Sequence, residues 1–529
     1  MVALTPLSFL RRSSDVYPDK VAIVGHDQRD INYSELRKRA DSLSDAIRGE
    51  GLQPGDRVAV LAPNGLSMID AHFGVPGAGC VLVALNTRLA PEEYRYILDH
   101  CEAKVLIVEK SFVEPLKDVL AALAAPLKVI EVGPGKEVIK DSISYEPWIR
   151  NAAPSAGMVD PLNEESVLAI NYTSGTTGRP KGVMYTHRGA YLNALGTSLS
   201  FSLTYDSVYL WTLPMFHCNG WCFVWSVVAM GARQVCIPRP DPEAILSMIM
   251  QHDVTHFAAA PVVLESLINS ESTRDLRLSH PVNVATGGAP PSPRTISMVT
   301  ALGMNLTHLY GLTETYGPCL VCEPQPSWKD LSETEHMGRM SRQGVRTITV
   351  DCIRVVTDDL RDVHRDGQSM GEIVIKSNSV MAGYFKDEEG TQAAFVDGWF
   401  KTGDLAVMHG DGYIEIRDRA KDIIISGGEN ISSIEVENAL MSHEQVLEVA
   451  VVARADERWG EVPIAIVVLR IPGSVSADEL IEHVKGRIAR FKAPKSIIFS
   501  DIPKTATGKI QKSILRERVA GGGIDGYHG

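Results

Sequence analysis

The feature that most constrains the fold is a regular alternation of short apolar runs with amphipathic helical segments. Three early runs have the length and β-branched content of buried strands: VAVLA at 58–62, CVLVAL at 80–85 and KVLIV at 104–108. A helical pattern, EEYRYILDHC, separates the last two runs. Because parallel neighbouring strands need such crossovers, the alternation predicts parallel sheets in an α/β architecture.

The pattern changes twice toward the C-terminal end. After about residue 345, TITVDCIRVV, GEIVIK and GYIEIRD alternate with turns and no long helix, which indicates an antiparallel β subdomain. The last hundred residues hold strand-like LEVAVVA and PIAIVVL with helical segments near 434–441 and at ADELIEHVKGRIAR. We therefore predict a large N-terminal body of parallel α/β sheets plus a β subdomain at 1–418, and a small C-terminal α/β domain at 419–529.

Length and charge exclude several classes of protein. A chain of 529 residues needs more than one hydrophobic core, and its formal charge of −13 argues against a nucleic-acid partner. No apolar run is long enough for a transmembrane segment. The N-terminal stretch does not resemble a signal peptide and IDGYHG is not a peroxisomal tripeptide, so we expect a cytoplasmic protein. The eight scattered cysteines, CLVC at 319–322 included, are expected to be reduced structural thiols.

The stretch NYTSGTTGRPKG at 171–182 is the strongest local signal of a ligand. Its three glycines let successive backbone N–H groups converge on an anion, and its hydroxyls add donors. Lys181 adds a positive charge, but the spacing differs from the Walker pattern, in which GK precedes Ser or Thr. The loop predicts a polyphosphate site outside the ordinary P-loop class; a ligand-free Gly-rich turn is the alternative.

Six ordered motifs resemble those of the adenylate-forming superfamily of acyl-CoA synthetases, luciferases and nonribosomal adenylation domains. They are YTSGTTGRPKG at 172–182, TLPMFHCNGW at 212–221, HLYGLTETYGP at 308–318, GWFKTGDLA at 398–406, RDRAKDIIISGGENI at 417–431 and PKTATGKI at 503–510. The resemblance spans nearly the whole chain and implies the fold of that superfamily, whose small C-terminal domain is mobile. TLPMFHCNGW also resembles a branch of small- and medium-chain acyl-CoA synthetases that includes methylmercaptopropionate-CoA ligases.

The resemblance implies a two-step reaction with ATP, Mg²⁺ and coenzyme A. A carboxylate attacks the α-phosphorus of ATP and releases pyrophosphate, and a thiol then attacks the acyl-adenylate and releases AMP. The catalytic residues implied by the motifs are Lys509, Glu314, His217 and Lys181, and the metal ligands are Thr173 and Glu314. For His217, a satisfied core histidine is the alternative interpretation.

The same resemblance implies the residues that bind the nucleotide and CoA. They are Thr173, Ser174, Gly175, Thr176, Thr177, Gly178, Lys181, Gly288, Ala289, Pro290, His308, Tyr310, Gly311, Thr313, Glu314, Asp404, Ile416, Arg419, Lys421, Gly427, Gly428, Glu429, Trp459, Phe491 and Lys509. Tyr310 would stack on adenine, and Asp404 would accept the ribose hydroxyls with Arg419 beside it. Trp459 and Phe491 would contact the adenine of CoA.

The acyl pocket implied by the resemblance is lined by His217, Trp221, Phe257, Gly287 and Gly317. A bulky Trp221 facing the pocket would shorten it, so we expect a small or medium-chain acid, or a small aryl acid. The expected partners are this carboxylate, ATP and CoA, and the protein is expected to be a monomer or homodimer. An amine, nitrite or a carrier-protein thiol as the acceptor stays open.

Overall fold

A computed structural model of the chain describes residues 2–25, 30–173, 179–237, 239–273, 276–504 and 510–521. These residues divide into two compact units. The first unit holds the described residues up to 173 together with the described part of 180–352 and 376–400. The second unit holds Arg179, 353–375 and the described part of 401–521. In this part of the chain, no helix has the length and apolar character needed to cross a bilayer.

The strands, in chain order, are β1 (Val21–Val24), β2 (Asp30–Asn32), β3 (Arg57–Leu61), β4 (Val81–Ala84), β5 (Ala103–Glu109), β6 (Lys128–Val132), β7 (Ile143–Ser144), β8 (Val167–Thr173), β9 (Lys181–Thr186), β10 (Val208–Trp211), β11 (Arg233–Cys236), β12 (His256–Ala259), β13 (Val282–Thr286), β14 (Met304–Leu312), β15 (Gly317–Val321), β16 (Val345–Arg346), β17 (Cys352–Val356), β18 (Met370–Lys376), β19 (Phe395–Val396), β20 (Trp399–Met408), β21 (Ile414–Arg419), β22 (Ile424–Ser426), β23 (Glu429–Ile431), β24 (Val446–Asp456), β25 (Gly460–Leu469) and β26 (Ser496–Phe499).

The helices, in chain order, are α1 (Leu7–Val16), α2 (Tyr33–Gly49), α3 (Leu66–Gly77), α4 (Pro91–Cys101), α5 (Lys117–Ala121), α6 (Tyr145–Arg150), α7 (His187–Ser200), α8 (Cys218–Trp221), α9 (Phe223–Ala229), α10 (Pro242–His252), α11 (Pro261–Ile268), α12 (Pro293–Ala301), α13 (Glu333–Met340), α14 (Glu388–Ala394), α15 (Ser433–Met441), α16 (Ala477–Lys485) and α17 (Lys512–Ala520). Short 3₁₀ turns include Thr313–Thr315 and Arg490–Lys492.

The first unit contains two sheets that are parallel in their centres. One has nine strands in the order β16-β15-β14-β13-β12-β10-β11-β1-β2, and the other has seven in the order β7-β6-β5-β3-β4-β8-β9. The neighbours from β14 to β1 in the first sheet and from β7 to β8 in the second pair in parallel, whereas β14–β15 and β8–β9 are antiparallel. The predicted α/β architecture is confirmed.

Burial of both faces explains the near-continuous apolar strands. In β3, Val58 and Val60 pack into one core cluster and Ala59 and Leu61 into another, on opposite faces of the seven-stranded sheet. The amphipathic segment before β3 forms α2 as predicted, with its apolar stripe fully buried: Leu36, Ala40, Leu43 and Ile47. Asn32 caps this helix by accepting a hydrogen bond of 2.8 Å from the backbone N–H of Glu35.

The second unit holds strands of two further sheets. The first has the order β17-β18-β20-β19, with β21 antiparallel to β20. Some of its residues belong to the first unit: β19, Cys352 of β17, Lys376 of β18 and residues 399–400 of β20. The C-terminal sheet has the order β23-β22-β25-β24, with β26 parallel to β25, and it packs against α15 and α16. The helix predicted over ADELIEHVKGRIAR is shorter than expected and ends at Lys485, because Gly486 follows and disfavours continuation. TITVDCIRVV is a strand only over its second half.

Candidate active site

Two strands of the first unit position the residues that flank the loop predicted to bind phosphate. Thr173 ends β8 and Lys181 begins β9, and the two residues pair directly across the antiparallel ladder. The loop residues between them, Ser174, Gly175, Thr176, Thr177 and Gly178, lie outside the described residues, as does Lys509. The structure therefore fixes the two ends of the loop at neighbouring positions of one sheet edge.

A second segment, residues 381–387, pairs with the free side of β9. The backbone N–H of Ala382 donates to the carbonyl of Met184 at 3.0 Å, and the N–H of Phe385 donates to the carbonyl of Gly182 at 2.7 Å. Tyr384 faces Val183 in an isolated antiparallel bridge. This pairing brings the side chains of the 381–387 segment to residues of the predicted phosphate site.

The 381–387 segment contacts both charged residues of the predicted phosphate and metal site. The Lys181 ammonium lies 2.9 Å from a carboxylate oxygen of Asp387 and 4.6 Å from the ring centroid of Tyr384. The Tyr384 hydroxyl donates to Oε1 of Glu314 at 2.9 Å, and the N–H of Met381 donates to the Glu314 carbonyl at 2.8 Å. Lys181 lowers the pKa of Asp387, whereas burial and the nearby Glu314 raise the pKa of Tyr384.

Sequence reasoning missed Tyr384 and Asp387. They lie about seventy residues beyond Glu314 and two hundred beyond Lys181, in MAGYFKD, a stretch without a spacing that indicates a site. Only the pairing of this stretch with β9 brings them to the two charged residues. The contact is thus a product of sheet topology.

The donor set around Glu314 fits a magnesium ion. Mg²⁺ prefers oxygen ligands and usually takes only one or two from the protein, with the rest from water and substrate phosphates. Within the described ranges there is no group of three acidic, histidine or cysteine residues of the kind that would form a closed metal cage. Among these residues, only the Tyr384 hydroxyl bonds to the Glu314 carboxylate, at Oε1. Glu314 therefore suits a site shared with a nucleotide.

The predicted acyl residues lie around a left-handed turn. Residues 218–222 all have positive φ, between 50° and 62°, and four of them are not glycine. The turn presses Trp221 against two loops: a Cβ added at Gly287 would lie 2.9 Å from the Trp221 ring, and one added at Gly317 would lie 3.0 Å from its Cα. Only glycine leaves room for this indole. The structure thus brings three of the five predicted pocket residues together.

Cys218 connects the left-handed turn at 218–222, here called the acyl turn, to the motif HLYGLTETYGP at 308–318, here called the nucleotide motif. Its Sγ lies 3.4 Å from Oγ1 of Thr313 and 3.8 Å from Nε2 of His217. Burial raises the pKa of the Cys218 thiol to about 12, so this sulfur stays protonated at neutral pH. His217 and Glu314 are therefore separated by a short chain of contacts through a neutral thiol and Thr313.

The other predicted residues of the first unit are more dispersed. Phe257 is fully buried in β12 beside Val284, and Tyr310 is buried near the end of β14. His308 is buried too, and its Nδ1 donates to the carbonyls of Ser341 and Arg342. Gly288 has a φ of 85° in the loop that continues through Ala289 and Pro290. Gly311 lies opposite Pro318 in the β14–β15 ladder.

In the second unit, two predicted ribose residues form a pair. Asp404 of β20 lies opposite Arg419 of β21, and the Nε of Arg419 is 3.2 Å from the Asp404 carboxylate. Ile416 lies on β21 and lines a cavity of about 310 Å³ with residues of α15. Burial and the neighbouring Arg419 lower the pKa of Lys421.

Four of the predicted residues of the second unit, Gly427, Gly428, Glu429 and Trp459, lie at one hairpin. Gly427 and Gly428, with φ of 62° and 86°, join β22 to β23 in a two-residue turn that ends at Glu429. The N–H of Gly427 donates to the carbonyl of Trp459 at 2.7 Å, and a Cβ at Gly427 would lie 2.8 Å from the indole. Trp459 and Phe491 remain 42% and 52% exposed, which leaves their rings accessible to a ligand.

Comparisons with known proteins cover nearly the whole chain. Residues 10–385 match the family described as AMP-binding enzyme, and residues 435–509 match the AMP-binding enzyme C-terminal domain. The chain is 41% identical to an acetate–CoA ligase of Humulus lupulus, with 98% of this chain and 95% of that protein covered. It is 40% identical to a peroxisomal acetate/butyrate–CoA ligase of Arabidopsis thaliana, with the same coverage. ATP-bound MatB from Rhodopseudomonas palustris is similar in structure, with a TM-score of 0.84, 28% identity, and 97% of this chain and 98% of that chain covered.

Proposed function

Because this chain belongs to the AMP-binding enzyme family and is an AMP-forming acid–CoA ligase, we propose that its acid is a small or medium-chain carboxylate, or a small aryl one. The observation that carries this proposal is the position of Trp221, held against Gly287 and Gly317 beside the residues of the nucleotide motif. An indole of this size leaves little depth for an acyl chain. The names of the relatives, which act on acetate and butyrate, support the same size class.

The proposed reaction has two steps. A carboxylate oxygen attacks the α-phosphorus of ATP, the bond to the pyrophosphate oxygen breaks, and an acyl-adenylate forms. The CoA sulfur then attacks the acyl carbonyl carbon and AMP leaves. When bound, Mg²⁺ would neutralise phosphate charge, and Glu314 with Thr173 would hold it.

The roles proposed for this chain's own residues follow their positions. Lys181 would meet the phosphates once its ion pair with Asp387 opens, while Tyr384 keeps Glu314 oriented. His217 would flank the carboxylate, and Lys509 would stabilise the transition state of adenylation. Tyr310 would stack on adenine.

We propose that the second unit's residues serve the nucleotide sugar and the thiol. Asp404 and Arg419 would hold the ribose, and the Gly427–Gly428 hairpin with Trp459 and Phe491 would receive CoA. The division at 418/419, with a C-terminal domain that changes orientation between the two steps, is part of the same proposal. So are a cytoplasmic location and a monomeric or homodimeric state.

A panel of acids tests the proposal directly. The full chain is incubated with MgATP, CoA and acetate, butyrate, hexanoate, octanoate or benzoate, and nucleotides are separated by chromatography. We expect CoA-dependent release of AMP and pyrophosphate with the smaller acids. Formation of ADP would contradict the reaction class. AMP release that requires an added amine or nitrite in place of CoA would favour the alternative acceptor.

A further inference from the structure

The left-handed turn at residues 218–222 is held by a buried polar chain. Non-glycine residues adopt positive φ unfavourably, and such strain persists only where the surrounding structure imposes it. Asn219 is the second residue of this turn, and its side chain is fully buried. The hydrogen-bond partners of its amide therefore show which elements hold the turn in place.

Three side chains from three separate elements make the chain of hydrogen bonds, which we call the asparagine relay: His72 of α3, Asn171 of β8 and Asn219 of the turn. The amide of Asn171 donates to Oδ1 of Asn219 at 2.7 Å, and the amide of Asn219 bonds Nε2 of His72 at 3.0 Å. Nδ1 of His72 lies 2.7 Å from the carbonyl of Met68, to which it donates. The donors thus run in one direction from β8 to α3.

The protonation state of His72 suits this direction. Burial lowers the pKa of His72 to about 4, so the ring is neutral near pH 7 and its Nε2 can accept the Asn219 amide. The indole of Trp225 packs edge-on against the ring, with 5.7 Å between centroids, and donates to the His72 carbonyl. Packing and hydrogen bonding together fix the imidazole that anchors the turn.

One acceptor atom of the relay makes no hydrogen bond to the described residues. Oδ1 of Asn171 is buried and bonds to no partner among the described residues. A buried carbonyl without a hydrogen bond is unfavourable, so this amide is a poor choice for stability alone. The stabilising part of the Asn171 side chain is its NH₂ group, which donates to Asn219.

The relay joins the two halves of the substrate site. Asn171 lies two residues before Thr173, at the end of the strand that leads into the phosphate-binding loop. Asn219 lies two residues before Trp221, which packs on Gly287 and Gly317. A change in the relay would therefore move the indole that limits the acyl pocket.

We propose that His72, Asn171 and Asn219 are positioning residues that set the size of acid the enzyme accepts, by fixing the turn that carries Trp221. The inference rests on the proposed function, since it assumes that Trp221 limits the acyl group. None of the three residues contacts the reacting atoms in this assignment. Their effect is on discrimination between acids.

The test compares two relay variants with a matched control. Asn219→Gly removes the central amide and tolerates the positive φ, and Asn171→Ala removes the donor from β8 without changing the turn. The control, Asn283→Ala, removes an amide that lies 3.0 Å from Nε2 of another buried histidine, His256. For each protein, kcat/KM is measured with acetate, butyrate, hexanoate, octanoate and benzoate.

We expect both relay variants to lower the ratio of kcat/KM for acetate over that for hexanoate by about tenfold, because a freed indole admits longer chains. Asn283→Ala should leave this ratio within twofold of the wild-type value. A purely structural role would reduce kcat/KM for all acids in proportion, and that result would overturn the proposal. If Asn219→Gly does not fold, Asn171→Ala and Asn171→Ser decide by the same ratio.

The outcome also separates this inference from the proposed function. A wild-type chain that releases AMP with none of the acids contradicts the proposed function itself. A wild-type chain that prefers short acids, together with relay variants that keep the same preference, contradicts only the role of the relay.

Discussion

Two tight turns carry predicted site residues, and they are built in opposite ways. The acyl turn at 218–222 has five consecutive residues of positive φ, four of them with side chains, and it is buried. The hairpin at Gly427–Gly428 has two residues of positive φ, both glycine, and a partly exposed Trp459 beside it.

The difference lies in where each turn finds its stability. A left-handed residue with a side chain costs roughly 1–2 kcal/mol, so the acyl turn depends on the packing and hydrogen bonds around it. The glycine hairpin has the conformation that its own residues favour. We infer that the acyl turn is held rigidly and limits the size of the acid through Trp221. The hairpin, in contrast, is a surface that a ligand can approach.

The largest expected effect separates the two half-reactions. Lys509→Ala should reduce adenylation by roughly 10²–10³, because in the proposed mechanism it removes the charge that stabilises the transition state, and it should spare transfer from supplied acyl-AMP. Gly428→Leu should do the reverse by blocking the approach of CoA at the hairpin. Rapid-quench assays of each half-reaction measure both effects.

A matched control removes the effect of backbone strain from this comparison. Gly412 has a φ of 85° against 86° for Gly428, and a Cβ at either position would meet no atom within 4 Å. Gly412→Leu therefore introduces the same strain away from the hairpin and should leave both half-reactions intact. Proportional loss of both half-reactions in the Lys509 and Gly428 variants would contradict the separate roles proposed for Lys509 and for the hairpin.

Next in size is the effect of the two tryptophans on specificity. Trp221→Ala should shift preference toward longer or bulkier acids by roughly 1–3 kcal/mol, since a few methylene contacts decide discrimination in such a pocket. Trp459→Ala should raise the KM for CoA and leave acid preference unchanged. The measurement is kcat/KM over a series of acids at saturating CoA, followed by a CoA titration. An altered acid preference in the Trp459 variant would contradict the assignment.

A smaller effect is expected at the 381–387 segment. Tyr384→Phe removes the hydroxyl that donates to Glu314, and loss of a residue that orients a metal ligand typically costs about 10–100-fold in metal affinity or activity. We expect a tenfold loss, seen mainly as a higher Mg²⁺ concentration for half-maximal adenylation. Tyr94→Phe, which loses a hydroxyl bond to the carbonyl of Asn86, is the control and should leave the Mg²⁺ dependence unchanged.

The last prediction concerns acid stability rather than activity, and it applies to the first unit. In the first unit, burial lowers the pKa of four histidines to about 4: His72, His187, His256 and His308. In the unfolded chain these histidines bind protons below their ordinary pKa of about 6.5, whereas in the native state they remain neutral until the pH approaches 4. Stability should therefore be full above about pH 6.5 and fall toward pH 4, by up to about 1.4 kcal/mol per histidine and pH unit.

Urea unfolding at pH 7 and pH 5 measures this slope. Of the seven tryptophans only Trp459 lies in the second unit, so tryptophan fluorescence reports mainly on the first. We expect a lower midpoint at pH 5, and a smaller change in a His256→Gln variant. Equal midpoints at the two pH values would show that these histidines are not held neutral.

Much of the fold was predictable because it depends on local patterns. The α2 stripe and the apolar runs of β3, β4 and β5 each contain enough periodicity to predict the element, and alternation predicts parallel pairing. The bounds of α16 were less predictable, because Gly486 ends the helix within an apparently continuous pattern. The resemblance of six motifs supplied most of the candidate site residues.

The contacts among those residues were not predictable. The bond from Tyr384 to Glu314 needs the pairing of residues 382–385 with β9, and the asparagine relay needs α3, β8 and the acyl turn to meet. Such contacts join residues more than forty positions apart, and no spacing along the chain encodes them.

Local patterns in the sequence predict the α/β architecture and the family, because periodicity and ordered motifs act within short stretches of chain. The left-handed acyl turn and the environment of Glu314 arise only from the packing of distant elements. The physical reason is that both are locally unfavourable or unspecified: strained backbone and buried polar groups are kept only where distant elements supply packing and hydrogen bonds.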